Sequence, residues 1–536
     1  MKLRILFCAT LICFLALVAS QCKSGSVSAT SASEIPHLRK QGTATQLIVD
    51  GKPFLALAGE LLNSSATSLE YMKPVWPRLV EAKLNTVLAG VSWNQIEPHE
   101  GKFDFSVLDG VIRDARSHNL RLVLLWFGTW KNGLSSYPPD WVKRDFERFP
   151  RAQIVGGKTP WQGFNGPHTQ IVGIGNIELL SPLSDANWDA DARAFAALMR
   201  HIKAVDGQQH TVIMIQVENE IGMQGDTRDR SPLANKAFEG PVPKELMDYL
   251  QQHKDTLNPE LRQVWEAAGL KASGTWEEVF GKGRATDEIF MAWNFARYVG
   301  RVAEAGKAEY PIPMYVNCPQ FGFGKATGGG QSGGAMPDAM DVWRAGAPRI
   351  DILSPDIYSR DFVAWCAKYT RSENPLFIPE TDGGRKSTAA RALYAFGAHD
   401  AIGFSPFAID RWTGKGPDVV SSSDLPGMYD LLSRLAPLIL EHQGKGTMSA
   451  VLLDPNDPPQ KVQVGNYTLE ATYLSPLGPT PPTPDMPTSA AIFIATGPDE
   501  YFVAGSGVSV LFSPNTLGPP RAGLGTVEEG TFVNGC

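Results

Sequence analysis

The sequence predicts a (β/α)8 barrel followed by a small all-β sandwich. Three observations carry that prediction. Between residues 46 and 444, eight apolar strand-like runs alternate with stretches whose apolar residues recur at helical spacing. Most of the runs are apolar throughout rather than alternating, as strands covered on both faces require. After residue 444 the helical stretches stop, and short runs between turn residues take over. Repeated βα units imply a parallel sheet covered by helices, and eight of them imply a closed barrel with inserted loops. A doubly wound open sheet is the structural alternative. It is disfavoured because no Gly-rich phosphate fingerprint sits on the first βα turn.

The predicted elements follow in order. FLALAGEL (54–61) is the first strand, and the helical stretch after it places Leu69, Met72, Trp76, Leu79 and Val80 on one face. NTVLAGVSW (85–93) is the second, followed by a helix with Val107, Leu108, Val111, Ile112 and Ala115 on one face. RLVLLWF (121–127) is the third. A long Gly/Pro/Trp-rich passage (131–185) reads as an elaborated loop before a helix and the fourth strand, TVIMIQV (211–217). Residues 223–285 mix loop and helix. PMYVNCP (313–319), DILSPDIY (351–358), PLFIPET (375–381) and AIGFSPFAID (401–410) complete the strands, each followed by a predicted helix.

The ends differ from this pattern. Lys2 and Arg4 precede ILFCATLICFLALVA, short for a membrane span and suited to a signal peptide cleaved after Ser20. Residues 1–20 are therefore expected to direct export, to a periplasmic or secreted location. A retained anchor, or a lipoprotein through Cys22, is the less favoured alternative. Residues 21–45 read as a flexible lead-in, 46–444 as the barrel and 445–536 as the sandwich. FVNGC closes the chain with a hairpin signal and almost no returning strand, so a truncated chain and a very short last strand both stay open. The charge of -7 and the lack of long basic runs argue against a nucleic-acid partner. Cys22, Cys318, Cys366 and Cys536 form neither a disulfide framework nor a zinc pattern. The nine histidines show no metal-ligand spacing, so no metal or other cofactor is expected.

A barrel carries its active site at the C-terminal ends of its strands. Those ends hold Glu60, Trp93, Trp126 to Asn132, Glu218–Asn219–Glu220, Asp356 and Tyr358, Glu380, and Asp410 with Trp412. Glutamates after the fourth and seventh strands face one another across a barrel mouth. Two such carboxyl groups are the requirement of a retaining glycosidase, one as nucleophile and one as acid/base. Tryptophans nearby suit the C–H faces of sugars. Strand alternation turns Glu218 and Glu220 the same way, with Asn219 opposite, and leaves open which glutamate reacts.

QVENEIG resembles the acid/base motif of family 35 glycoside hydrolases, exo-acting β-galactosidases of the Asn-Glu barrel clan. VSWNQIEPHEGKFDF resembles that family's second-strand signature and FIPET its nucleophile site. The resemblance covers the barrel, and the β domain is similar to the C-terminal module of a bacterial subgroup. It implies Glu220 as acid/base, Glu218 as structural, Glu380 as nucleophile, Asn219 holding the sugar 2-hydroxyl and Tyr358 bonded to the nucleophile. The chain departs from the family in two places. GELLN keeps Glu60 but puts Leu62 and Asn63 where many members have His and Tyr. FGTWKNG puts Thr129 before Trp130 where others have Glu, leaving Lys131 and Asn132 as replacement polar contacts. Trp93, Trp130 and Trp412 are further candidates for stacking on sugar.

The expected function is a retaining exo-β-galactosidase that removes terminal β-galactosyl residues from plant-type oligosaccharides. Because of the two departures, a glucosaminide or glucoside remains an alternative substrate, and an inactive sugar-binding protein an alternative role. Gly330–Gln331–Ser332–Gly333–Gly334 fits an esterase motif but lacks the strand and helix of a nucleophile elbow.

Overall fold

The computed structural model describes residues 34–131, 137–155, 179–223, 225–319, 332–371, 373–412, 424–474, 486–516, 518 and 522–530. The expected signal peptide, Asn132, most of the GGGQSGG loop and the C-terminal FVNGC lie outside those residues. No helix among the described residues is long and apolar enough to cross a membrane.

Residues 37–45, expected to be lead-in, instead form structure. Strands β1 (His37–Gln41), β2 (Ala44–Val49) and β3 (Lys52–Phe54) make an antiparallel sheet. Leu47 and Val49 of β2 pack into the barrel interior with Ala58, Leu88, Leu125, Ile213 and Ile352. Asp50 accepts from Arg121 (2.6 Å) and pairs with His210 (2.8 Å), residues at the starts of the third and fourth barrel strands. The sheet therefore covers the end of the barrel opposite the carboxylates. HLRKQ is polar because that strand lies outermost.

The barrel strands are β4 (Ala56–Glu60), β5 (Thr86–Ser92), β6 (Arg121–Lys131), β7 (Val212–Asn219), β8 (Met314–Cys318), β9 (Ile352–Ile357), β10 (Phe377–Ile378), β11 (Glu380–Thr381) and β12 (Gly403–Phe404). All pairings are parallel, in the order β10-β12-β4-β5-β6-β7-β8-β9-β11. The two ends of that order are halves of one strand, so the sheet closes. Pro379 divides them. It has no N–H for a ladder, so the chain pairs with β12 before it and with β9 after it. Helices such as Ser106–Ser117, Asp185–Asp206 and Arg284–Glu309 cover the outside. Four short helices between Pro232 and Phe280 fill the insertion after β7.

Six antiparallel strands follow: β13 (Met448–Leu453), β14 (Gln460–Val464), β15 (Tyr467–Tyr473), β16 (Ser489–Gly497), β17 (Glu500–Ser506) and β18 (Val508–Pro514). They form two three-stranded sheets around Val451, Leu453, Val464, Leu469, Ala491 and Phe493. Strands β13 and β16 are buried on both faces. Val451 and Phe493 point into the sandwich, while Ala450 and Ile492, one residue away, join the barrel core.

Candidate active site

Four carboxyl groups from four strand ends meet at the barrel mouth: Glu60, Glu220, Asp356 and Glu380. Glu380 lies opposite Asp356 in the β11–β9 register. The charges of Glu380, Glu220 and Glu60 all bear on Asp356, and the Glu220 carboxyl is in hydrogen-bond contact with it. Exposure separates the four. Glu60 and Asp356 are 1% exposed, whereas Glu220 and Glu380 are each 8% exposed. The two expected to react are the less deeply buried pair. Tyr358 donates a short hydrogen bond from its hydroxyl to Glu380 Oε1, as expected. Burial and then the Glu380 charge push its phenol far above the usual range, so it remains a donor.

Burial, followed by Glu380, Glu220 and Glu60, holds Asp356 well above the usual carboxylate range. A site with this many carboxyl groups in contact must keep at least one proton.

Glu218 has another environment, and the expected alternation fails. Glu218 and Glu220 both adopt left-handed backbone, with φ of 62° and 45°. The β6–β7 pairing also slips between Trp126 and Lys131, so five steps on β6 match two on β7. Glu218 turns away from the mouth, accepting from Trp130 N (2.5 Å) and Thr129 N (3.3 Å). Burial and the adjacent Asp191 carboxyl raise its pKa well above normal. Asp191 in turn accepts from Trp126 Nε1 (2.8 Å) and Tyr298 Oη (2.9 Å). This is a structural network behind the strand, as the resemblance implied.

The remaining candidates divide. Asn219 is buried between the two glutamates. Asn63 sits on the loop after β4, which Asp410 anchors by accepting from Leu62 N (3.1 Å), Ser65 Oγ (2.8 Å) and Tyr71 Oη (3.2 Å). Its Oδ1 has no protein donor among the described residues. Trp93 and Trp130 do not stack at the mouth as expected. Both are fully buried. Trp93 donates to Glu97 (2.8 Å) and packs on Trp141, while Trp130 donates to Gly222 O (3.3 Å) and packs on Phe295. Lys131 ends β6 opposite Asn219. Trp412 ends the helix Ile409–Trp412. The side chains of Lys131 and Trp412 are outside the description. Ser332 is no nucleophile: it is fully buried and donates to Thr227 O (2.6 Å).

Two site residues escaped the candidate set. Asp356 stood among the strand-end carboxylates without a role, and Asn317 was not singled out. Asn317 Oδ1 accepts from Glu220 N (2.8 Å) and its Nδ2 donates to Asp356 Oδ2 (2.8 Å). The available signal was a polar residue inside an otherwise apolar buried strand, MYVNC and ILSPDI.

Residues 69–159 match the glycoside hydrolase family 42 model, described as β-galactosidase. That match points to family 42 rather than to the family 35 that the motifs resemble. Residues 425–536 match a domain of unknown function, DUF5597. A β-galactosidase of Xanthomonas manihotis is 28% identical over 200 residues, covering 36% of this chain and 27% of that protein. Similar solved structures include a β-galactosidase from Bacillus circulans sp. alkalophilus (15% identity, TM-score 0.46, 72% of this chain and 57% of that one). Another is a family 42 β-galactosidase from G. stearothermophilus, solved as a catalytic mutant (14% identity, TM-score 0.47, 75% and 59%). The chain thus spans about a quarter of the curated relative and under two thirds of these solved chains.

Proposed function

We propose that this protein is a glycoside hydrolase of the β-galactosidase type that works by double displacement. Glu380 attacks the anomeric carbon. Glu220 protonates the leaving oxygen and then takes a proton from the water that releases the sugar. The observation that carries this reading is the meeting of Glu220 and Glu380 at the barrel mouth as the two more exposed members of a four-carboxyl cluster. Tyr358 supports it, since a hydroxyl bonded to Glu380 Oε1 orients that carboxylate for attack. The family 42 match over residues 69–159 and the named relative support β-galactoside as the substrate class. Attack on the terminal residue of an oligosaccharide, and export directed by residues 1–20, belong to the same reading.

The test is hydrolysis of aryl β-galactoside, β-glucoside, β-glucosaminide and β-arabinoside by wild type, Glu220→Ala and Glu380→Gln. Galactoside cleavage should fall about 10²–10⁴-fold in Glu220→Ala. It should be lost in Glu380→Gln with the circular dichroism spectrum unchanged. Wild-type rates in either variant would refute the assignment. Cleavage of a different glycoside would keep the mechanism and replace the sugar.

A further inference from the structure

We propose that Asp356 stays protonated through the reaction and, held by Asn317, is a positioning residue that donates a hydrogen bond to the acid/base Glu220. This rests on the reading of Glu220 given above. The geometry is a chain of neighbours across consecutive barrel strands. Glu220 follows β7, Asn317 lies on β8, Asp356 on β9 and Glu380 on β11.

The orientation of Asn317 fixes where the proton on Asp356 resides. Its Oδ1 must face the Glu220 N–H, because an amide NH2 there would set donor against donor. Its Nδ2 therefore donates to Asp356 Oδ2, which acts as an acceptor. Asp356 Oδ1 has no protein donor among the described residues. The group that meets the Asp356 carboxyl is Glu220, and two carboxylates in contact repel unless a proton lies between them. Asp356, 1% exposed, is the costlier of the two to ionise, and Glu220, 8% exposed, the cheaper.

The arrangement serves both half-reactions. When Glu220 acts as base, a donor from Asp356 stabilises its carboxylate. When Glu220 is protonated, Asp356 occupies one of its oxygens and leaves the Glu220 proton to the leaving group. Asn317 also holds the Glu220 backbone in its left-handed conformation. Other ionisable groups face the pair from every side: Glu60 on β4, Tyr315 and Cys318 on β8, Tyr358 after β9, and Glu380 on β11. Tyr369, from the helix Phe362–Tyr369, faces Asp356, and Asp338 faces Cys318 and Tyr369.

Asp356→Asn keeps a donor and an acceptor in the same places, whereas Asp356→Ala removes both. The expected result is kcat within about threefold of wild type for Asp356→Asn, with the pH profile unmoved. For Asp356→Ala, kcat should fall by about 10²-fold with KM little changed. A second readout needs no activity. The native wild type keeps a proton that the unfolded chain releases above 3.8, so its stability falls as pH rises. The Tm of Asp356→Asn relative to wild type should therefore grow from pH 4 to pH 7. An Asp356→Asn variant as impaired as Asp356→Ala, or a Tm difference that shrinks with pH, would overturn the proposal. A wild type that cleaves no glycoside would overturn the functional reading and the role at Glu220, while the Tm slope still reports the proton itself.

Discussion

Glu218 and Glu220 stand two residues apart and sit in different surroundings, because each takes a left-handed backbone where a strand would alternate. Glu218→Gln should leave activity within about threefold of wild type but cost about 1–3 kcal/mol, since Oε1 accepts from Thr129 N and Oε2 from Trp130 N, and a glutamine NH2 sets a donor against one of them. Glu220→Gln should lose turnover. Steady-state kinetics and urea unfolding of the two variants check the contrast. Gly128 is required behind this network, because a Cβ there would lie 2.7 Å from Glu218 Oε1 and 2.8 Å from Asp191 Oδ1. Another pair of neighbours sets a pH effect. Burial lowers His399 to about 4 and raises Asp400 to about 6. His399 costs stability as pH falls from 6.5 toward 4, because the unfolded chain binds that proton first. Asp400 costs stability as pH rises from 3.8 through 6, because the native chain holds that proton longer. The two effects oppose between pH 4 and 6. His399→Gln should therefore gain stability relative to wild type as pH falls across that window, and Asp400→Asn should lose it. Two variants whose Tm values track wild type across the window would contradict this.

At the scale of elements, the strands were legible because short, mostly apolar runs between helical stretches have few other places to go. Pro379 was visible, but its consequence needed the closed sheet: it splits a stave and lets Glu380 pair beside Asp356. The strand His37–Gln41 was not legible, since its residues are polar and it pairs on the outside of β2. The irregularity of β6 between Trp126 and Lys131, opposite Glu218, was equally hidden, because periodicity assumes an unbroken strand. In the sandwich, β16 reads AAIFIAT without alternation, and the structure gives the reason: Phe493 faces β15 and β18, and Ile492 faces the barrel helix Thr388–His399. Phe493→Ala should cost about 3–5 kcal/mol in denaturant unfolding. It should leave kcat for galactoside unchanged, because the substituted side chain points away from the barrel. A parallel loss of kcat would show that the sandwich shapes the mouth.

At the scale of the whole molecule, closure of the barrel is what converts four distant sequence positions into one cluster. The carboxylates at strand ends could be chosen from sequence because that closure was expected. The tryptophans could not be sorted, because Trp93 and Trp130 stand beside the mouth in sequence but turn into the shell between strands and loops. The motifs resemble family 35 while residues 69–159 match family 42, for a related reason. An Asn-Glu pair after the fourth strand and a Glu after the seventh serve the chemistry of retaining barrel glycosidases generally, so they do not separate family 35 from family 42. The central claim is that Glu380 forms a covalent bond to the sugar. A slow 2-fluoro-galactosyl fluoride should leave one glycosyl adduct per chain, mapped by peptide mass spectrometry to the peptide bearing Glu380 and absent from Glu380→Gln. An adduct on any other carboxylate, or turnover of the aryl galactoside with inversion at the anomeric carbon, would contradict it.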